Sequence, residues 1–286
     1  MTIRKVQAKR FRNHGNDVNR NREKNIRMVL QYDGTGYQGW QRQKDAPTVQ
    51  GILEDRLYRL TGERITVIGS GRTDAGVHAL HQVCHFTTRT RLDSQTIRKG
   101  LNALIPSDIF ITSADEVPLD FHARYSAKSK IYEYRILNRE EPDLFLRSFS
   151  WHLPAELDKD GMAQCVSALS GRHDFSSFRS SGSGNINPVR DMMTAEIHAD
   201  QDSLLRFVFE ADGFLRHMVR NIVGTVVDVG RKKIGFNEFM DIFRARDRRL
   251  AGLKAPPHGL FLIMVRYETD SARLETPPSK VPETEA

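Results

Sequence analysis

Hydrophobic and polar positions along this chain switch repeatedly between the two-residue period of a strand and the longer period of a helix. IRMVLQYDG, with order expected from Ile26, reads as a strand running into a turn that holds Gly34, Gly36 and Gly39. Thr48 is placed as a helix N-cap, because Val49, Ile52, Leu53, Leu57 and Leu60 follow at helical spacing. RITVIGSG (64–71) reads as a β-branched strand that breaks at glycines, and HALHQVCHF (78–86) as a second strand. A helix starting at Asp93 or Ser94 carries Ile97, Leu101 and Leu104 on one face, and Phe110–Val117 closes the half as a strand. The order is β-α-β-β-α-β, the split pattern of ferredoxin-like units.

The second half repeats this grammar more loosely, with no residue-level repeat. Lys130–Leu137 is predicted as a strand, and Met162, Cys165, Val166 and Leu169 mark a helix. Met193–His198 and Leu204–Ala211 read as paired strands. Leu215, Met218, Val219, Ile222, Val223 and Val226 mark a long buried helix, Phe236–Phe243 a shorter one, and Gly259–Tyr267 the last strand. RSSGSGNINP (179–188) is expected to be a mobile Ser/Gly loop. The predicted class is α+β in two units, 25–122 and 123–270, between a disordered basic arm at 1–24 and a disordered tail at 271–286.

Composition narrows the function classes. With 286 residues, 39% hydrophobic and 28% charged, the chain can build one large core or two ordinary ones. Its longest apolar runs, such as Leu260–Val265, fall far short of the roughly 20 residues of a membrane-spanning helix, so no membrane role is expected. Cys84 and Cys165 make no disulfide framework and no paired metal-ligand spacing, which points to reduced thiols and a cytoplasmic setting. Residues 1–24 show no secretory or transit signature. That arm holds eight Lys/Arg against Asp17 and Glu23, so most of the net charge of +7 lies there. It suits a nucleic-acid partner or a solvated arm with no specific contact.

The densest polar cluster is GSGRTDAGVH, residues 69–78, between two apolar strands. Its glycines allow a tight turn or a close backbone approach, and a carboxylate held there, Asp74, can reach a ligand lying over the sheet as nucleophile or base. Asp74 also fits an ordinary turn residue whose side chain bonds its own backbone. The glycines match neither phosphate-loop fingerprint. His78, His81 and His85 do not converge as metal ligands, because alternation puts His78 on the opposite face from the other two. Lys128, Lys130, Tyr132 and Tyr134 share one strand face, a pattern that serves single-stranded RNA by stacking and phosphate contact, or merely half-buried tyrosines. Arg220, on the long apolar helix, either snorkels to water or is buried against a carboxylate. Arg231, Lys232, Lys233, Arg244, Arg246, Arg248 and Arg249 read as solvated helix ends that together can track a phosphate backbone.

GSGRTDAGVHA (69–79) resembles the active-site segment of the tRNA pseudouridine synthase A family. The resemblance continues through YDGTGYQGWQ (32–41), FHARYSA (121–127), KIYEY (130–134), HDFSSF (173–178), HMVRNIVG (217–224) and PHGL (257–260), in order over residues 26–268. It implies two ferredoxin-like halves sharing a mixed, mostly antiparallel sheet around a central RNA-binding cleft. The implied activity is isomerisation of uridine to pseudouridine at positions 38, 39 and 40 of tRNA, in the anticodon stem-loop. The implied partners are tRNA and a second copy of the chain, with no cofactor and no metal. Residue by residue, Asp74 matches the family's nucleophile, Tyr132 the tyrosine that stacks on the flipped uracil and is implied to help remove the carbon-5 proton, and Arg220 the arginine paired with the carboxylate. Arg72 is matched to the side chain that fills the space left by the flipped base, and Leu260 to the packing beneath the uracil. A non-catalytic RNA-binding protein or tRNA chaperone on the same fold is the alternative.

Overall fold

Each of the first two helices starts where the sequence supplies an acceptor for its unpaired N–H groups. The Thr48 hydroxyl accepts from the Gly51 N–H at 3.2 Å, and the Asp93 carboxylate from the Thr96 N–H at 2.7 Å. The computed structural model of the chain describes residues 22–180, 187–200 and 203–268. The first half consists of β1 (Lys24–Tyr32), α1 (Val49–Thr61), β2 (Ile68–Gly69), β3 (His78–Thr88), α2 (Ser94–Leu104) and β4 (Ile109–Val117). There follow β5 (Ala127–Leu137), β6 (Trp151–His152), α3 (Lys159–Ser167), β7 (Gly171–Asp174), β8 (Val189–Ala199) and β9 (Leu204–Ala211). The chain then runs through α4 (Met218–Gly230), α5 (Phe236–Ala245) and β10 (Leu260–Tyr267).

All the strands belong to one sheet, in the order β4-β1-β3-β10-β5-β9-β8-β7, with β2 beside β3 and β6 beside β5. Pairings are antiparallel except β3 with β10 and β5 with β6. Each half contributes the ferredoxin-like order of fourth, first, third and second strand: β4-β1-β3-β2, and β10-β5-β9-β8. The class expected from the sequence is therefore the one observed. The join lies on one edge of β3. Cys84 and His85 on that edge pair with β2, while His78 and Ala79 pair with Phe261 and Leu262 of β10.

The strand predicted over 64–71 is reduced to Ile68–Gly69. The preceding backbone is held by α1 instead of by a neighbouring strand. Val67 N–H donates to Glu54 Oε1 at 3.0 Å, and Val67 O accepts from Gln50 Nε2 at 3.0 Å. Side chains thereby satisfy the peptide groups that a ladder would have used. The antiparallel register of β2, Ile68 opposite His85, keeps it at the far end of β3 and leaves His78–Ala79 open for β10.

β1 opens at Lys24, two residues before the expected Ile26. Arg22 pairs with Glu116 at 2.6 Å, and Lys24 Nζ donates to Leu92 O at 2.8 Å, so the end of the predicted arm is engaged with the fold. Residues 1–21, 181–186 of the expected Ser/Gly loop, and the tail from 271 lie outside the described residues. Among the described residues, no helix is long and apolar enough to cross a membrane. α4 runs through the interior with nearly every residue buried, Arg220, Asn221 and Thr225 included. Arg248, expected as a solvated helix end, is partly buried, and its Nη2 donates to Asn221 Oδ1 at 3.0 Å. Both cysteines are buried and unpaired, and burial pushes their thiols up, away from the reactive thiolate.

His78 and His85 are core histidines. His78 Nδ1 accepts from the Gly34 N–H at 3.1 Å, and its Nε2 faces the carbonyls of Ser148 and His258. His85 Nδ1 accepts from the Ala123 N–H at 3.1 Å, and burial, with the neighbouring His122, pushes it down to about 4. Folding therefore favours neutral His85, while the unfolded chain takes up the proton near 6.5. The stability this supplies is present above that value and is lost as pH falls toward about 4. In urea titrations across this window, His85→Gln is expected to flatten the fall in unfolding midpoint, and an unchanged slope would assign the acid sensitivity elsewhere.

Candidate active site

The loop that carries Asp74 is held from two sides. On one side lies the segment after β1. Gly39 has φ +86°, and a Cβ there would stand 2.6 Å from Thr73 O, so a side chain is barred both by conformation and by space. The Trp40 N–H donates to that same carbonyl at 3.1 Å, and Gly76 N–H donates to Tyr37 O at 3.2 Å. From β1 and β3 below, Tyr32 Oη lies 2.8 Å from Thr73 Oγ1, and Gln82 Nε2 donates to Gly71 O at 3.0 Å. Burial pushes the Tyr32 phenol up to about 12, so it meets Thr73 as a neutral hydroxyl.

Val77 N–H donates to the backbone carbonyl of Asp74 at 3.2 Å, across a turn in which Gly76 takes φ +75°. The turn is thus closed by main chain, and the Asp74 carboxylate does not cap it. Its partners come from the far half of the molecule. Arg220 Nη1 donates to Asp74 Oδ2 at 3.1 Å, and His217 Nε2 lies 3.4 Å from Oδ1. Arg220 Nε donates to Ala255 O at 2.8 Å, which fixes the plane of the guanidinium. The arginine side chain is 7% exposed and the carboxylate 29%, so of the two charges the aspartate is the one that meets solvent or ligand. Arg220 therefore takes the buried, paired alternative rather than the snorkelling one.

His217 was not singled out from the sequence. Leu215, Met218 and Val219 place it inside a continuous helical pattern, but α4 begins only at Met218 and His217 is its N-cap, at φ +61°. This left-handed backbone is uncommon outside glycine. The helix start thereby aims His217 and Arg220, three residues apart, at the two oxygens of one carboxylate. His217 Nδ1 is buried with no hydrogen-bond partner among the described residues. Burial lowers the imidazole's affinity for a proton, opposed by Asp74 and reinforced by Lys254, Arg220 and Arg216.

Asp74 opens on a cavity of about 1160 Å³, above the roughly 300–1,000 Å³ usual for small ligands. Tyr132, Arg72, Arg220 and Leu260 all line it, so the five residues singled out in the sequence meet at one place. Tyr132 packs edge-on against Phe214, with ring centroids 4.9 Å apart at 78°. Burial pushes its phenol up, with smaller contributions from Tyr32 and Asp74, so it is present as a neutral phenol. Arg72 is exposed at the rim and makes no hydrogen bond or ion pair among the described residues. Of the basic and aromatic side chains expected along one face of β5, only Lys130 and Tyr132 line the cavity. Lys128 pairs with Glu268 at 2.7 Å, and Tyr134 is fully buried with its hydroxyl donating to Pro256 O at 2.8 Å. β5 keeps its alternation, pairing with β9 in unbroken register from Lys130 to Leu137, and the cavity reaches no farther along that face. Phe214 and Lys254 complete the lining from irregular segments that carry no periodic signal.

The profile of a family described as tRNA pseudouridine synthase matches residues 28–126 and 165–268. A protein named tRNA pseudouridine synthase A from Thermoanaerobacter sp. (strain X514) is 44% identical over 244 residues, 85% of this chain and all of the relative. Proteins of the same name from Acetivibrio thermocellus and Moorella thermoacetica are 43% and 46% identical, each over 85% of this chain and 100% and 99% of the relative.

Replacing His217 with glycine removes a left-handed backbone penalty on the order of 1 kcal/mol together with the contact to Asp74. The unfolding midpoint is expected to hold or rise while single-turnover rates on RNA fall. A fall in both together would make the histidine a packing residue only.

Proposed function

The chain belongs to the tRNA pseudouridine synthase family, and within it we propose an isomerase that converts uridine to pseudouridine at positions 38, 39 and 40, in the anticodon stem-loop of tRNA, with Asp74 as nucleophile. The observation that carries this is the Asp74–Arg220 pair at 3.1 Å, its carboxylate presented to a large cleft and its guanidinium locked behind it.

The reaction breaks the bond between N1 and the sugar, turns the base, and joins the sugar to carbon 5. The carbon-5 proton leaves and N1 gains one, so no atoms are added overall. The uridine must first leave its stack, at a cost of a few kcal/mol. Tyr132, held edge-on by Phe214, offers a face for the extruded uracil, and Leu260 packs beneath it. Arg72, free at the rim, occupies the space the base leaves. Asp74 acts on the sugar or the base of the flipped nucleotide, as a carboxylate can attack, or stabilise cationic sugar character, and then depart. Arg220 holds it in line while leaving it an accessible lone pair. Burial holds the Tyr132 phenol neutral in the free protein, ready to stack and hydrogen-bond.

The proposal extends to a cytoplasmic homodimer, with the cleft between subdomains 25–122 and 123–270. Two buried, unpaired cysteines suit a reducing compartment, and Leu144 and Phe145, the latter 90% exposed, offer apolar surface for a second copy. Sedimentation at twice the mass of 32.7 kDa is expected, and a single protomer at micromolar concentration would remove the dimer.

Asp74→Asn is expected to bind tRNA as the wild type does and to form no pseudouridine. Tritium release from tRNA labelled at carbon 5 of uridine measures the chemistry, and mapping modified positions in a strain lacking the protein tests the site. A wild type that binds tRNA yet releases no tritium would make it the non-catalytic RNA-binding protein or tRNA chaperone.

A further inference from the structure

Lys130 lies on β5 two residues before Tyr132, beside the Asp74 loop. A Cβ built on Gly71 would stand 3.7 Å from its Nζ. The side chain is only partly exposed, and among the described residues it makes no hydrogen bond and has no carboxylate within ion-pair distance. Its charged surroundings are mostly of its own sign. Arg124, from the segment before β5, and Arg190, on β8, repel it, while Asp212, just after β9, attracts it more weakly. Burial and then these two guanidiniums push Lys130 down to about 8.

The three cations line the same cavity. Arg190 is fixed there by its Nη1, which donates to Asn187 O at 2.8 Å and Val189 O at 2.6 Å. Those carbonyls orient the guanidinium without cancelling its charge. Arg124 rests its guanidinium 5.8 Å from the Tyr125 ring. An ammonium withdrawn from water with no counter-ion is unfavourable, and crowding it with two further cations adds to the cost. An apolar side chain would fill this position more cheaply. An anion arriving from the cleft turns the mutual repulsion into attraction toward a common centre.

We propose that Lys130, Arg124 and Arg190 form a binding site for a single phosphodiester of the RNA backbone, the one adjoining the flipped uridine, with Lys130 as its innermost ligand. The site rests on the tRNA reading given above. Two residues of strand separate Lys130 from Tyr132 by about 7 Å, a spacing that lets one hold a nucleotide's phosphate while the other stacks on its base.

The test uses the full chain, wild type and Lys130→Met, with anticodon stem-loop RNAs that each carry one uncharged methylphosphonate linkage. In the wild type, neutralising a linkage at the target nucleotide is expected to weaken binding about tenfold. Lys130→Met is expected to bind the native RNA about as weakly and to lose nothing further at that linkage, while other linkages count equally in both proteins. Since binding favours the protonated amine, wild-type affinity is retained below about pH 8 and falls as pH rises through it, whereas Lys130→Arg stays level. The free Lys130→Met protein should melt above the wild type, which separates the effect from misfolding. Inorganic phosphate is the second probe: protection of the wild type from heat at millimolar phosphate, absent in Lys130→Met, supports an anion site of this composition. Penalties spread evenly over all linkages and unchanged by Lys130→Met would overturn the assignment while leaving pseudouridine formation intact. Failure of the wild type to bind the stem-loop at all would overturn the tRNA reading and the site with it.

Discussion

Asp74 and Arg220 are 146 residues apart in sequence, and the contact between them ties the loop of one half to the buried helix of the other. The two charges are unequally placed. The arginine is enclosed by α4 and by the carbonyl of Ala255, while the carboxylate keeps an open side toward the cavity. A guanidinium buried to this degree needs a partner, since removing one member of such a pair leaves an uncompensated charge that costs about 3–5 kcal/mol. The pairing therefore holds the carboxylate in place without consuming it. Under solvent screening an exposed pair would do neither.

That contact depends on how the sheet is joined. β2 runs antiparallel along the far end of β3, at Cys84 and His85, and leaves the other end of that edge, His78 and Ala79, to β10. There His78 and Ala79 receive β10 in parallel, and the second half docks directly against the Asp74 loop. Gln50 and Glu54 of α1 make the short strand possible by taking the hydrogen bonds of Val67. The seam between the halves becomes the cleft, so each wall lines part of it: Arg72 and Asp74 from the first, Tyr132, Arg220 and Leu260 from the second.

Several residues around this seam sit in conformations or environments that a stability-driven fold would avoid. His217 takes a left-handed backbone at the head of α4 with its Nδ1 unpartnered among the described residues, and Lys130 brings an ammonium in among like charges. Tyr32 and Tyr132, by contrast, are kept as neutral phenols by burial. Strain and unanswered charge concentrated at one cavity, within a core that otherwise follows packing and hydrogen-bonding rules, mark where the molecule is built to receive something.

Local chemistry made much of this protein legible before folding. The caps at Thr48 and Asp93, the apolar stripe of α4 and the β-α-β-β-α-β order follow from short-range spacing, and the glycine-flanked Asp74 stood out because turn, charge and apolar flanks lie together in the chain. Resemblance to a known family then supplied roles that spacing left open for Asp74, Tyr132 and Arg220. Periodicity failed where a distant partner overrode it. The strand expected at 64–71 lost its ladder to two side chains of α1, Tyr134 and Lys128 are engaged by Pro256 and Glu268 instead of the cavity, and His217 was hidden inside a helical pattern whose helix begins one residue later. The cations around Lys130 are gathered by the sheet and loops of the second half itself, and which oxygen of Asp74 faces which nitrogen depends on elements more than a hundred residues apart being brought to one seam. Only packing of the two halves decides that, because the free energy of a buried charge is set by its neighbours in space.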